Sequence, residues 1–302
     1  MDVSIIIVNY NNKKLLKNCL TSIYAHTKDI AFEIIVSDNG STDGSIQMIN
    51  ENFPLVVLIE NKINLGFGAA NNKGLSIAKG KYILYLNSDT VLLNNAVKIF
   101  YDYWESSNNK NIIGALGSNL LDENLNIIHS YGNFAGYKIA LSQLIKMFFS
   151  NIILSFLYIL HISPQKKEIL TNKSKYIGEV DYITGADLFM QNNNNSKFDE
   201  YFFLYFEEAD LQKKIQNQNK KRIIIDGPQI QHFCGGSVNE KLNIKRKASF
   251  SRIQFEISRV KFLKKHYSNF LLPLPKLLIT LLWLNPLLIK KTKNYIKEIW
   301  KI

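Results

Sequence analysis

Over its first 118 residues the chain alternates short β-branched runs with segments of helical periodicity. Val3 to Val8 is the first run. Leu15, Leu16, Cys19, Leu20 and Ile23 follow at helical spacing. Phe32 to Val36 is a second strand and ends at Ser37-Asp38-Asn39-Gly40. Ser45 to Ile49 opens a helix, Leu55 to Ile59 is a third strand, and Gly66 to Ala78 reads as a helix. Lys81 to Leu86 is a fourth strand and ends at Asn87-Ser88-Asp89. Asn95 to Tyr103 and Ile112 to Leu116 continue the rhythm as helix and strand. Strands separated by helices of about ten to fifteen residues predict an α/β fold, with a parallel sheet and crossover helices. In open sheets of this kind ligands bind outside the carboxyl ends of the strands. The acidic turns at Asp38 and Asp89 are therefore candidate site residues.

After Ser118 the pattern changes. Ile139 to Leu160 is a long apolar stretch broken by Lys146. Glu179 to Thr184 reads as a strand, Phe206 to Gln218 as a helix with acids in its first turn, and Arg222 to Ile225 as a strand. From Glu240 basic residues crowd the chain as far as Lys265. Leu271 to Ile289 is strongly apolar but contains Pro273, Pro275 and Pro286, and a basic tail runs from Lys290 to Ile302. The expected division is a domain over 1–237, in two halves of about 1–118 and 119–237. A basic and apolar helical region over 238–302 follows it.

With 302 residues, 46% hydrophobic and 21% charged, the chain has enough apolar material for a large core. The net charge of +12 favours an anionic partner: phosphorylated substrate, acidic lipid or nucleic acid. Cys19 and Cys234 form no paired framework and no metal-type spacing, which suits a reduced, cytoplasmic setting. Met1-Asp2-Val3-Ser4 leads straight into a strand, without the basic segment or cleavage site of a secretory signal.

Each polar cluster has a chemical and a structural reading. Asp38 can accept the N3–H of uracil or thymine, or it can cap a turn rich in turn-forming residues. Asn64-Leu65-Gly66-Phe67-Gly68 allows close backbone approach to a ligand. It is not a dinucleotide fingerprint, because no glycine follows the first strand. Asp89 can ligate a hard cation shared with substrate phosphates. Glu207, Glu208 and Asp210 can supply a general base in aromatic surroundings that raise a carboxylate pKa, or can be a charged helix start. His232 is either a metal ligand or a structural histidine.

In order, these segments resemble an inverting family 2 glycosyltransferase of the GT-A fold, a Rossmann-like mixed sheet flanked by helices. The resemblance is carried by Val3-Ser4-Ile5-Ile6-Ile7-Val8-Asn9-Tyr10-Asn11, by Ser37 to Ser45, and by Asn64-Leu65-Gly66-Phe67. Asn87-Ser88-Asp89-Thr90, Thr184-Gly185-Ala186, Phe198-Asp199-Glu200 and Glu207-Glu208-Ala209-Asp210-Leu211 continue it, and His232 and Ser237 end it. The branch resembled is the rhamnosyltransferase-like one of bacterial surface polysaccharide synthesis.

The resemblance implies a role for each matched residue. Val8, Asn9, Tyr10, Asp38, Asn39, Asn64, Gly66, Phe67, Asn71, Asn87 and Ser88 would bind the nucleotide and donor. Asp89 matches the last acid of an Asp-x-Asp motif and, with His232, would hold Mg²⁺ or Mn²⁺. Gly185, Ala186 and Asp187 would lie between donor sugar and acceptor. Glu208 would be the base, with Glu207 and Asp210 as alternates. Two departures stand out: Asn87 replaces the first Asp of the motif, and Glu208 stands where Asp is common.

The donor implied is a UDP- or dTDP-sugar, rhamnose among the candidates, and the acceptor a glycan or lipid-linked saccharide. The apolar run with basic flanks suits an interfacial segment on the inner face of the cell membrane. A nucleotidyltransferase is the alternative enzyme, but it calls for a Gly-rich basic loop after the first strand. A non-catalytic nucleotide-binding partner of an assembly complex does not call for Asp38, Asp89 and Glu208 together. A nucleic-acid binder accounts for the charge but not for the acidic cluster.

Overall fold

The structure, a computed structural model, describes residues 1–159, 174–233, 249–284 and 289–302. Cys234, Ser237, the basic run over 241–247 and Pro286 lie outside the described residues. The chain divides into two compact units.

The first unit holds residues 1–134 and the described parts of 171–203 and 207–238. Its centre is β1 (Val3–Asn9), with β2 (Phe32–Asp38) on one side and β4 (Tyr82–Asn87) on the other, both parallel to it. β3 (Val57–Glu60) extends the sheet beyond β2. The registers Asn9↔Asp38 and Val8↔Asn87 bring the carboxyl ends of β1, β2 and β4 level. Val3, Ile5 and Ile7 point into one core and Ile6 into another, so both sheet faces are covered. That is why these strands read as continuous apolar runs rather than alternating ones. The first core takes in Leu16, Cys19, Leu20 and Ile23 of α1 (Lys13–His26), Met48 and Ile49 of α2 (Ser45–Asn52), and Phe100 and Trp104 of α4 (Ala96–Ser106). The second packs Leu75 of α3 (Phe67–Leu75) and Leu211 and Ile215 of α6 (Glu207–Asn217).

The sheet is mixed, as the resembled fold implies, and its parallel part is the one that the strand–helix alternation marks. β10 (Asp187–Gln191) runs antiparallel between β4 and β6 (Ile113–Gly117). Its five residues are almost wholly buried, Phe189 stacking on Tyr82 and Phe100. β11 (Lys221–Ile224) follows β6 in parallel, and β8 (Gly178–Glu179) closes that edge. The expected strand over 179–184 is two short pieces. β8 pairs with β11, and β9 (Tyr182–Ile183) pairs with β7 (Tyr131–Gly132). A separate ribbon joins β5 (Thr90–Leu92) to β12 (Ile230–His232).

The second unit contains α5 (Tyr137–Ile159), α7 (Phe250–His266), α8 (Pro273–Trp283) and α9 (Ile289–Lys301). Ser249 caps α7 by accepting the Arg252 N–H at 3.3 Å, and Pro273 starts α8 where the missing N–H costs nothing. Ala140, Leu144, Ile257, Val260, Ile279, Trp283 and Ile299 form its core. Arg259 and Glu256 are buried together, 3.3 Å apart, with Gln143 accepting from Arg259 at 3.0 Å. Residues 135–159 thus pack with helices more than a hundred positions later in the chain, across the 237/238 division. Among the described residues, no helix is long and apolar enough to cross a membrane.

Candidate active site

The polar clusters at Asp38, Asn64–Gly66, Asn87–Asp89 and Glu207–Asp210 lie at the carboxyl edge of the first unit's sheet or at the starts of α3 and α6. Asn9 donates to Asp38 Oδ2 at 2.8 Å. Asp38 Oδ1 accepts the backbone N–H groups of Gly40 and Ser41 at 3.1 and 2.7 Å. Asp38 has no exposed surface, so its carboxylate shapes the loop that follows β2, the turn-capping geometry. Tyr10 is half exposed beside it. Asn39 donates to Gly66 O at 3.1 Å and to Asn64 Oδ1 at 3.3 Å, while Asn64 Oδ1 also accepts the Gly66 N–H at 2.9 Å. These amides tie the loop after β2 to the start of α3.

Gly66 has φ +86°, and a Cβ there would lie 2.2 Å from Phe203 O. The same carbonyl accepts the Phe67 N–H at 3.0 Å. Glycine is required because the α3 N-terminus rests on the backbone that leads to α6. Asn71 is buried within α3 and donates to Phe67 O at 3.1 Å, so its amide serves the helix.

At the end of β4, Asn87, Asp89 and His232 converge. His232 Nε2 lies 3.2 Å from Asp89 Oδ1 and 3.3 Å from Asn87 Nδ2. The β5–β12 ribbon sets this contact: Thr90 pairs with His232, and the Phe233 N–H donates to Asp89 O at 2.9 Å. Ser88 is nearly buried and accepts from Asn12 at 3.4 Å. Beneath the turn the Cys19 thiol faces Thr90 Oγ1 at 3.6 Å, and burial pushes its pKa up to about 12, so it stays a neutral thiol.

The donor atoms of Asp89 and His232 suit a hard divalent ion. Two cis ligands of an octahedral cation, with bonds of about 2.1 Å, stand about 3 Å apart. No group of three or more His, Cys, Asp or Glu side chains surrounds a common point among the described residues. Such an ion would therefore take its other ligands from phosphate oxygens and water, as hard cations at phosphate sites do.

Gly185 and Ala186 span the gap to the acidic helix. Ala186 O accepts the Asn87 N–H at 3.1 Å. A Cβ on Gly185 would lie 3.2 Å from the Phe67 ring and 3.9 Å from Glu208 Cβ. Glu208 is ringed by protein at the first turn of α6. Burial raises its carboxyl pKa, partly opposed by the backbone N–H groups of Glu208 and Ala209. Tyr182 is close enough to feel the Glu208 charge, and its own hydroxyl is pushed up to about 12, mainly by burial.

The other two acids are placed differently. Glu207 is buried with its Cβ near Gly68 of α3, and Asp210 is buried and paired with Lys214 at 3.0 Å. Asp187 is also fully buried. Its Oδ2 accepts from Ser118 N and Oγ at 2.7 and 2.6 Å, and burial pushes its pKa up to about 7.

Two positioning residues were not evident from the sequence. Gln212 is fully buried, donating to Ile183 O at 2.7 Å and accepting the Ile183 N–H at 2.8 Å. It locks the strand before Gly185 onto α6. Ser118 does the same for Asp187. A polar residue on the apolar face of a helix, as Gln212 is, is the one signal that could have marked it. A separate cleft of about 790 Å³ lies along α3 beside Lys73, Ser76, Asn193 and Lys197, and shares no residue with this cluster.

The chain matches Glycosyl transferase family 2 over residues 4–151. It is 35% identical over 121 residues to a poly(ribitol-phosphate) beta-glucosyltransferase of Bacillus spizizenii, a match covering 38% of this chain and 19% of that protein. It is 29% identical over 222 residues to an uncharacterised glycosyltransferase of Methanocaldococcus jannaschii, covering 72% of each. Its fold is that of a Pyrobaculum calidifontis mannosyltransferase solved with GDP-Man and Mn²⁺, with a TM-score of 0.55 and 14% identity over 99% of this chain and 75% of that one. The central mixed sheet flanked by helices is thus the GT-A arrangement that the sequence motifs imply.

Proposed function

We propose that the chain transfers a sugar from a UDP- or dTDP-sugar to a hydroxyl of a glycan or lipid-linked acceptor, with inversion. The observation that carries this reading is the Gly185-Ala186 bridge, which sets Glu208 and the Asp89–His232 pair on either side of one backbone segment. In this reading the base lies against Tyr10 and the Asn39–Ser41 loop, whose shape the buried Asp38 carboxylate sets. Asn64, Gly66 and Phe67 border the ribose and sugar.

Asp89 and His232 would hold Mg²⁺ or Mn²⁺, which would supply positive charge against the diphosphate. Glu208 takes the proton of the acceptor hydroxyl. That oxygen forms a bond to the anomeric carbon as the bond to the diphosphate oxygen breaks, and the nucleoside diphosphate leaves with the bonding pair. One displacement inverts the configuration. Burial of Glu208 favours proton uptake, which is what a base requires.

Glu207 and Asp210 are secondary candidates, because one packs against α3 and the other is paired with Lys214. Rhamnose is one donor sugar to test. The 1–237 and 238–302 regions are read as catalytic and membrane-facing respectively, with the protein peripheral on the inner face of the cell membrane. The deciding experiment is a panel of nucleotide sugars incubated with purified protein and Mn²⁺. Release of one nucleoside diphosphate supports the reading, and inertness towards every donor with no nucleotide binding contradicts it.

A further inference from the structure

Helix α8 is apolar on two opposite sides, with Lys276 and Thr280 its only polar residues, yet only one of those sides is covered. Pro275, Ile279, Leu282 and Trp283 face the core of the second unit. On the opposite side Leu274, Leu277, Leu281 and Leu284 are 46%, 48%, 43% and 47% exposed, at spacings of three and four that align them in one row. Phe270, just before the helix, is 87% exposed. An apolar helix side is normally buried, and an exposed row of this kind marks a docking surface.

The neighbouring helix indicates what docks there. On α9, Lys293, Lys297 and Lys301 are exposed at four-residue spacing and form a ridge. Trp300 stands at the edge of that ridge, 49% exposed, and its indole N–H donates to Thr280 Oγ1 of α8 at 2.9 Å. Lys276 Nζ lies 5.8 Å from the Trp300 ring centre. Apolar row, tryptophan with a satisfied N–H, then lysines is the order in which a helix pair meets acyl chains, interface and headgroups. A protein partner fits less well, since lysine is depleted in the cores of protein interfaces. With eleven residues α8 is about 16 Å long, against a hydrocarbon core of about 30 Å. It can lie in a leaflet but is too short to cross the bilayer.

We infer that the second unit docks on an anionic lipid surface, the Leu274–Leu284 row of α8 seated in the leaflet and the Lys293–Lys301 ridge of α9 on its headgroups. This surface is independent of the glycosyl-transfer chemistry and is tested separately from it.

The test is co-sedimentation of the full chain with phosphatidylserine-rich vesicles and with phosphatidylcholine vesicles, in low and high salt. The wild type should pellet with the anionic vesicles and be released by salt. Leu277→Ser with Leu281→Ser should weaken binding at least roughly tenfold, by loss of inserted apolar area. Lys293→Gln with Lys297→Gln should weaken it about fivefold per lysine on anionic vesicles only. Both variants should keep the wild-type melting temperature and nucleotide affinity, which separates failure to dock from failure to fold or to bind donor. The inference is overturned if the wild type stays in the supernatant, or if the leucine variant pellets like the wild type. It is equally overturned if the wild type is a dimer that the leucine variant dissolves, because the row then covers a second copy of the chain.

Discussion

His232 Nε2 stands 3.2 Å from Asp89 Oδ1, brought there by the pairing of β12 with β5 rather than by sequence proximity. Asn87 holds the same nitrogen at 3.3 Å. One carboxylate, one imidazole and one amide therefore share the end of β4, where the motif's usual first acid is missing. In the proposed reading the imidazole would supply the ligand that a single carboxylate leaves missing.

Removing either donor atom should cost metal-dependent binding. Asp89→Ala is expected to abolish the gain in nucleoside diphosphate affinity produced by Mn²⁺. His232→Ala should lower that gain about ten- to a hundredfold, the range seen when groups that order a metal site are lost. Calorimetric titration with and without Mn²⁺ measures both. An unchanged Mn²⁺ effect in the two variants would reject the pair as the metal site.

Burial raises the Glu208 pKa, so the proposed base ionises at a higher pH than an ordinary glutamate. The sign follows from its role: kcat should fall as pH drops through that raised value, because the protonated carboxyl cannot take a proton. The acid limb of the rate profile should therefore lie above the ordinary glutamate pKa of ~4.3. The same shift means that ionising Glu208 costs folding stability, and the cost disappears on acidification. A rate profile flat down to the ordinary carboxylate range would assign the proton transfer to another group.

Gly66→Ala places a methyl group 2.2 Å from Phe203 O at a φ of +86°. Backbone strain of this kind costs about 1–3 kcal/mol, and the clash adds to it. The expected result is a lower melting temperature together with weaker nucleotide binding, because α3 must shift from the Asn39–Asn64 network. Thermal unfolding and titration of the same sample check both.

In the second unit Glu256 is fully buried between Arg252 and Arg259, and Arg259 is 2% exposed. Glu256→Gln leaves the Arg259 charge buried without its counterion, a change that costs about 3–5 kcal/mol. Denaturant unfolding should show this loss. A loss below ~1 kcal/mol would mean that water or a rearranged Gln143 compensates.

Val3–Asn9 and Tyr82–Asn87, buried on both faces, read directly in the sequence because their apolar runs are long and bounded by turns, and β2, β3, β6 and β11 read to within two residues. β5, β10 and β12 did not read. Three to five residues carry no periodicity, and pairing with distant strands decides their state. At the site, Asp89, His232 and Glu208 were legible as chemical types, but the Asp89–His232 contact was not, since 143 positions separate the two. Asp38 was legible as either base acceptor or turn cap, and its two backbone bonds show the turn. The i,i+4 spacing of Asp210 and Lys214 already allowed the ion pair that separates Asp210 from Glu208. The packing of 135–159 with the last sixty residues has no local signature, because both segments are simply apolar helices.

The most direct measurement is turnover of the donor that a nucleotide-sugar panel identifies, by wild type and Glu208→Gln side by side, with binding measured on the same samples. The expected result is equal donor affinity and a kcat reduced about 10²- to 10⁴-fold in the variant. Near-normal turnover by Glu208→Gln would contradict the account, whatever donor is used.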